Sequence, residues 1–528
     1  MSGPLRLTGT PASAGYAEGP VFCLDGGTAS YVAKGSAAAE AEALRAAIEA
    51  ASEQLAELAV ASTGEAADML EFQLAMLADD SLSEPAFDAI DAGVPADEAW
   101  SDALSGQIEG YEAAEDEYFR ARAADLKDIH RQVLDALTSA GDRTAPPGAI
   151  LFGEDIAPTR FLATDWSAGG GIALSKGSPA SHVAMLARSR GVPMVVGLGS
   201  AAKDVAGLAL LDAEHGGIVL GPMEGDIEGF RKSSTAYRER RRSAEDAVTK
   251  PAATANGVPV RVLVNVADPA DVERIDVSTC DGVGLMRTEF LFGKELPDEE
   301  TQYRAYRRVL EWAVGKPVTI RTIDAGGDKP VPGFTVEEGN PFLGLRGIRL
   351  SLARPEVFRV QIRALLRAAV HGKLKVMFPM IAVPEEYLHA AALFAEEADN
   401  LARASVPHSM PPLGIMVEVP SVAIAPELFS DVAFFSIGSN DLTQYVMAAA
   451  RDNTSVAALN SVTNPAVLRL IASVAAFGRL HDIPVSLCGD AGGDPAAIPH
   501  LLGAGLRDLS VARAQLALAK AAISGVTV

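Results

Sequence analysis

The chain has 528 residues, 48% hydrophobic and 22% charged, with a formal net charge of −24. That is material for two to four domains at roughly 100–200 residues each, and the acidity argues against nucleic acid as the main partner, because a duplex-binding surface must neutralise phosphates. Three cysteines without CxxC spacing, Cys23, Cys280 and Cys488, fit a reducing cytoplasm better than a disulfide framework, and neither a signal peptide nor a membrane-inserted segment is expected from the apolar runs.

Residues 1–32 are rich in Gly, Pro and Ala and predict short strands and turns. From Ser36 the character changes: Leu44, Ile48, Ala51, Leu55 and Leu58 recur at helical spacing between charged positions, the pattern of an amphipathic helix. MLEFQLAMLADDSL and DEYFRARAADLKDIHRQVLDAL continue it, so 33–143 reads as an all-helical subdomain; pattern alone fits an inert bundle equally well. TAPPGAI, from Thr144, breaks the helices. The short apolar runs that follow, AILFGE, GGGIALS, PMVVGLG, LALLD and GIVLG, predict a small α/β domain over 144–224 that takes 1–32 as its missing piece. Residues 225–250, with YRERRRSAED, read as a helical linker.

Beyond Pro251 strand-like runs alternate with helical stretches: VPVRVLVNVA, GVGLM, PVTIRT, LKVMFPM, LGIMVE, VAFFSIG, IPVSLCG and RDLSVA. Eight such units over 251–528 predict a (β/α)8 barrel. The fold class is therefore α/β multidomain, with a C-terminal (β/α)8 barrel and an N-terminal α/β domain carrying an inserted helical subdomain.

Barrel sites form where strands end. Here GVGLM runs into Arg287, PVTI into Arg321, LGIMV into Glu418, VAFFSIGS into Asn440 and Asp441, and IPVSL into Cys488. Glu418 and Asp441 are hard oxygen ligands suited to magnesium. The arginines offer forked donors for phosphate or carboxylate. A thiol beside such cations is expected to have a lowered pKa and to serve as acid or base near neutral pH. Together they favour a small, multiply anionic substrate. Singly, each has a plainer reading: Arg287 paired with Glu289, Arg321 with Asp324, Glu418 structural, Cys488 a packed thiol. His182, in SKGSPASHVAMLARSRGVPMVVG, stands at a loop–helix junction, where helix-end amides accept an anion. Imidazole is a competent nucleophile; a capping or surface histidine is the alternative.

Long ordered segments, GVGLMRTEFLF, RTIDAGGDK, NPFLGLRGIR, GKLKVMFPMI, GIMVEVP, FFSIGSNDLTQY and LCGDAGG, with SHVAMLARSRGVPMVVG and EYFRARAADLKDI upstream, resemble the phosphoenolpyruvate–protein phosphotransferase family, enzyme I of the bacterial sugar phosphotransferase system. The resemblance covers essentially the whole chain. It implies that His182 is the phosphorylated histidine, and that Arg287, Arg321, Arg451, Asn440 and Asp441 bind phosphoenolpyruvate. It further implies that Glu418 and Asp441 hold Mg2+, and that Cys488 protonates the enolate of pyruvate. The helical subdomain corresponds to the docking site of the HPr phosphocarrier protein, with Asp79 and Asp80 as acidic contacts, and the barrel to a homodimerisation domain. A nitrogen-type enzyme I serving an NPr-like carrier and a non-catalytic regulatory homologue are the alternatives. Pyruvate phosphate dikinase and phosphoenolpyruvate synthase need a large nucleotide-binding domain, for which the helical first 140 residues leave no room.

The chain departs from the family pattern at three places. Ala180 stands where Thr usually precedes Ser-His, Ala450 where an acidic residue precedes the arginine matched by Arg451, and Asp490 where Glu follows Cys-Gly.

Overall fold

The computed structural model of the protein describes residues 3–24, 31–61, 65–112, 117–138, 145–179, 181–199, 206–292, 296–327, 331–336, 338–450, 456 and 459–528. They fall into two compact units, Met1–Tyr237 and Arg238–Val528.

The first unit is built on an eight-stranded sheet: β1 (Leu5–Thr8), β2 (Thr10–Ser13), β3 (Tyr16–Cys23), β4 (Ile150–Gly153), β5 (Gly171–Leu174), β6 (Met194–Val196), β7 (Leu208–Asp212) and β8 (Gly217–Leu220), in the order β1-β8-β7-β3-β4-β5-β6-β2. The first 23 residues thus supply both edges and one central strand. The stretch β3-β4-β5-β6 is parallel. Its runs ILFG, GIAL and MVV are buried at every position, as expected of strands covered on both faces.

A parallel pair needs a crossover. Between β3 and β4 that crossover contains five helices: α1 (Ala37–Ala61), α2 (Glu65–Leu77), α3 (Asp80–Asp91), α4 (Ala96–Glu112) and α5 (Glu117–Thr138). Leu44, Ala51 and Leu55 form the buried stripe of α1, with Ile48 and Leu58 at its margin. They join one core with Trp100 and Leu126 of the helices and Leu151, Ile172, Met194 and Val196 of the sheet. The other sheet face packs Ile150, Phe152, Ala173, Val195 and Leu211 into a separate cluster.

The second unit contains β9 (Ala252–Ala253), β10 (Pro259–Val266), β11 (Val283–Met286), β12 (Pro317–Arg321), β13 (Lys373–Phe378), β14 (Leu413–Val417), β15 (Phe435–Ile437), β16 (Val485–Leu487) and β17 (Asp508–Ala512). β10 to β17 pair in parallel in chain order, and β10 pairs with both β11 and β17. They therefore close into an eight-stranded barrel, each strand lying in one of the eight runs predicted for it; β9 adds antiparallel to β10. Alternation along the strands divides the apolar residues. Val260, Val262, Val264 and Val266 pack outward against the helices, while Leu285, Met377, Met416, Phe434 and Cys488 form a small cluster of their own. Among the described residues no helix is long and apolar enough to cross a membrane.

Candidate active site

The C-terminal ends of β11, β12, β14, β15 and β16 carry a cluster of charged and polar side chains. Arg287 directly follows β11; its amide donates to the Val266 carbonyl (3.0 Å), and its half-buried side chain makes no ion pair or hydrogen bond among the described residues. Arg321 ends β12 and is 4% exposed. Its Nη2 lies 2.9 Å from Glu289 Oε1 and its Nη1 3.0 Å from Asp324 Oδ2, while its buried Nε has no partner among the described residues. Of the two plain pairings foreseen for the arginines, Arg321–Asp324 is present; Glu289 serves Arg321 instead of Arg287.

Glu418 follows β14 and is 1% exposed. Its Oε1 accepts the Met380 amide at 2.6 Å, and its buried Oε2 has no hydrogen-bond partner among the described residues. Met380 follows β13 and has φ +57°, a left-handed conformation that costs a non-glycine residue about 1 kcal/mol or more and gathers at functional sites. Asn440 and Asp441 open the helix Ser439–Met447 that follows β15. Asp441 Oδ1 accepts from Arg346 Nη1 at 3.0 Å.

Arg346 is the residue that sequence reasoning missed. It is fully buried, grips Asp324 through Nε (3.1 Å) and Nη2 (3.0 Å), and reaches Tyr445 Oη (3.2 Å). One guanidinium thus ties the β12 end to the helix after β15. It sits in the quoted NPFLGLRGIR segment, where a lone arginine in a loop reads as a surface residue.

Cys488 follows β16 and is 3% exposed; its thiol points at the Ile437 carbonyl (3.6 Å). Beside it Asn440 and Asp490 form a two-way bridge: Asn440 Nδ2 donates to Asp490 Oδ2 (2.9 Å), and the Asp490 amide donates to Asn440 Oδ1 (3.1 Å).

Burial and crowding set the protonation of this cluster. Burial pushes the Glu418 carboxyl up to about 8, reinforced by the like charges of Asp441 and Asp324 and opposed by Arg321 and Arg346. Burial works against the charge on Arg321 and on Arg346, but the surrounding carboxylates outweigh it and hold both protonated. Cys488 corrects the expectation of a lowered pKa. Burial pushes the thiol up to about 11, and the Ser436 contact, Arg321 and Arg287 pull the other way without reversing it. At neutral pH the group is a thiol.

The donor set fits a divalent cation. A buried carboxylate oxygen without a partner, on a group crowded by two further carboxylates, is an arrangement that a hard cation relieves. Among the described residues no group of three or more metal-ligating side chains is assembled.

In the first unit His182 opens the helix His182–Arg190; for this residue the structure describes the backbone alone. Ser181 is the N-cap, its Oγ accepting the Ala184 amide at 3.2 Å, and Gly191 ends the helix at φ +68° as a left-handed cap. Arg188, one turn from the end, donates through Nη1 to Pro179 O (2.7 Å) and Ala12 O (2.8 Å), which ties the preceding loop to β2. Ala180 and Arg451 lie outside the described residues. Of the two acidic residues foreseen for carrier docking, both exposed, Asp79 caps α3 by accepting the Ser81 amide at 3.0 Å, and Asp80 is the first residue of that helix.

Residues 241–528 match the family of the PEP-utilising enzyme PEP-binding domain, 8–122 that of the PEP-utilising enzyme N-terminal domain, and 145–216 that of the PEP-utilising enzyme mobile domain. The phosphoenolpyruvate-protein phosphotransferase of Priestia megaterium is 37% identical, with 98% of this chain and 93% of that protein covered. The Bacillus subtilis (strain 168) protein of the same name is 35% identical over 98% of this chain and 94% of its own. A solution NMR structure of Enzyme I is similar at 26% identity and a TM-score of 0.37, covering 44% of this chain and 99% of that one.

Proposed function

The chain belongs to the phosphoenolpyruvate–protein phosphotransferase family, and from that premise we propose that it moves the phosphoryl group of phosphoenolpyruvate onto its own His182 and then onto a histidine of an HPr-like carrier, releasing pyruvate, as the first step of cytoplasmic sugar uptake. The observation that carries the reading is the convergence of Arg287, Arg321, Glu418, Asn440, Asp441 and Cys488 at one end of a single barrel, with the Arg287 side chain and the Arg321 Nε left without partners among the described residues.

In this reading Arg287, the remaining donor of Arg321, and Arg451 grip the phosphate and carboxylate of the substrate, and Asn440 adds an amide donor. Glu289, Asp324 and Asp441 fix Arg321 and Arg346 by ion pairs, so those guanidiniums meet the substrate preorganised. Glu418 and Asp441 would hold magnesium, which when bound supplies positive charge to the phosphate and enolate oxygens. A neutral imidazole nitrogen of His182 attacks phosphorus, the bond to the enol oxygen breaks, and the electron pair stays on the enolate. Cys488, held protonated by burial, gives its proton to the methylene carbon to make pyruvate, and the thiolate then regains a proton from solvent. Assembly as a homodimer through the barrel goes with this reading.

Incubation with radiolabelled phosphoenolpyruvate and magnesium is expected to give an acid-labile, base-stable adduct that maps to His182 and is absent from His182→Ala. Equal labelling of that variant overturns the assignment. Passing the label to a panel of purified sugar-type and nitrogen-type carriers identifies the acceptor class.

A further inference from the structure

The lumen of the barrel carries a polar chain that the chemistry above does not use. Along β10, Val260, Val262, Val264 and Val266 pack outward, so Arg261, Leu263 and Asn265 face inward by alternation. Asn265 is half-buried. Its Oδ1 accepts the hydroxyl of Ser510, a fully buried residue of β17, at 2.6 Å. The Cys488 carbonyl, which can only accept, fixes which end of the amide is which: Nδ2 donates to it across 3.3 Å, and Oδ1 is left facing the Ser510 hydroxyl.

The turn Cys488–Gly489–Asp490 is thereby held at three points from three directions. The Cys488 amide donates to Ile437 O at 3.0 Å, the Cys488 carbonyl accepts from Asn265, and the Asp490 amide donates to Asn440 Oδ1. Packing leaves no slack: a Cβ on Gly489 would stand 1.9 Å from Ser439 Oγ. Behind Ser510, Gly284 is as tight, with a Cβ there 2.5 Å from the serine Oγ. An amide between strands is a costly choice beside the apolar lumen cluster of Leu285, Met377, Met416 and Phe434, where an aliphatic side chain fills the same space without a polar group to satisfy.

We infer that Asn265, oriented by Ser510, is a positioning residue that sets the Cys488 peptide and so aims the Cys488 thiol at the reacting carbon. The inference rests on the reading of Cys488 as proton donor. The hydrogen bonds of the Asn265 side chain among the described residues go to the Cys488 carbonyl and the Ser510 hydroxyl, not to the thiol. Without its hydrogen bond the Cys488 carbonyl loses the tether that sets its direction while the other two remain, and even a small tilt of that peptide shifts a side chain whose proton must meet one face of a planar enolate. A misplacement of about 1 Å in such a geometry costs on the order of 100-fold in rate.

The test is magnesium-dependent deuterium exchange into the methyl group of pyruvate, followed by NMR on the full chain after phosphorylation of His182. Asn265→Leu keeps the volume and removes both hydrogen bonds. It is expected to slow exchange by about 10- to 100-fold while the KM for phosphoenolpyruvate and the magnesium requirement stay at wild-type values. Ser510→Ala, which removes the hydroxyl tether of Asn265 and leaves its bond to the Cys488 carbonyl in place, is expected to shift exchange in the same direction by less. Cys488→Ala, run in parallel, separates the two levels. If it exchanges at the wild-type rate, the proton-donor reading fails. If it is inactive but Asn265→Leu exchanges normally, only the role of Asn265 fails. Should Asn265→Leu not fold, Ser510→Ala decides: wild-type exchange in that variant overturns the inference.

Discussion

Glu40 and Asp128, buried in the first unit, and Glu418, buried at the barrel end, are treated in opposite ways. In the first unit Glu40 accepts from Tyr31 Oη (2.7 Å), the Ala96 amide (3.0 Å) and the Lys34 amide. Asp128 accepts from Thr159 Oγ1 (2.6 Å), Gln132 Nε2 (3.2 Å), Gln73 Nε2 (3.4 Å) and the Thr159 amide (3.5 Å). At the barrel end Glu418 has one donor, the Met380 amide, an empty-handed second oxygen, and two carboxylates for company. Burial pushes both Asp128 and Glu418 up; what acts next differs, donors pulling Asp128 back and like charges pushing Glu418 further. A carboxylate that serves the fold is saturated with donors. One left short inside a well-packed barrel costs stability and keeps its capacity for something the folded chain does not itself supply.

The sharpest way to break that contrast is Glu418→Gln. It replaces a carboxyl that burial and like charges hold largely protonated at neutral pH by an amide of the same shape, and so removes the capacity to become a carboxylate beside a cation. Autophosphorylation from phosphoenolpyruvate is expected to fall by roughly 10²–10³-fold, with the magnesium requirement raised, while the thermal midpoint without substrate does not fall. A steep drop in the midpoint instead would make Glu418 a structural group like Glu40. The complementary change is Asp128→Ala, which strands the donors of Gln73, Gln132 and Thr159 in the interior. It is expected to destabilise the first unit by about 3 kcal/mol, read from its denaturant midpoint, and to leave deuterium exchange into pyruvate untouched. Loss of exchange with an unchanged midpoint would place Asp128 in the chemistry.

The same contrast marks how far the sequence can be read. All eight barrel strands were legible, because parallel barrel strands are short apolar runs between helical stretches, and the polar residue that ends each run stands out against them. Glu418, Asn440, Asp441 and Cys488 were found in that way. Arg346 was not, since its partners Asp324 and Asp441 are 22 and 95 positions away and no local pattern announces a buried guanidinium. Asn265 was hidden inside a run read only as strand; its role depends on the closure of β10 against β17, which joins Asn265 to Ser510 across 245 residues. The Cys488 thiol was misjudged for a related reason: the cations around it are visible in the sequence, and the burial that outweighs them is not. Asp79 could also have been read locally as a cap, since an aspartate just before a helical run is a capping signal; the docking expectation for Asp79 and Asp80 came instead from the resemblance of MLADDSL and EYFRARAADLKDI to the family's docking helices.

That pair gives the smallest effect and a direct use of the contrast at the molecular surface. Asp79 has a task inside the fold, as N-cap of α3; its hydrogen bond to Ser81 holds its carboxyl below the usual range. Asp80 is exposed at the same helix end. If acidic charge here guides a basic carrier, the charge matters and the cap does not. Asparagine separates them, because Asn caps a helix about as well as Asp. Asp79→Asn with Asp80→Asn is therefore expected to keep α3 and its stability, to leave autophosphorylation unchanged, and to slow transfer to the carrier roughly several-fold at low salt. The difference should shrink as ionic strength rises, since long-range steering is screened beyond a Debye length of about 10 Å at 0.1 M. Asp79→Ala keeps Asp80 and loses the cap; its effect should appear in stability and persist at high salt. Transfer rates that do not change in the double asparagine variant at low salt, measured by rapid quench against a purified HPr-like protein, would move the docking charge away from this helix end.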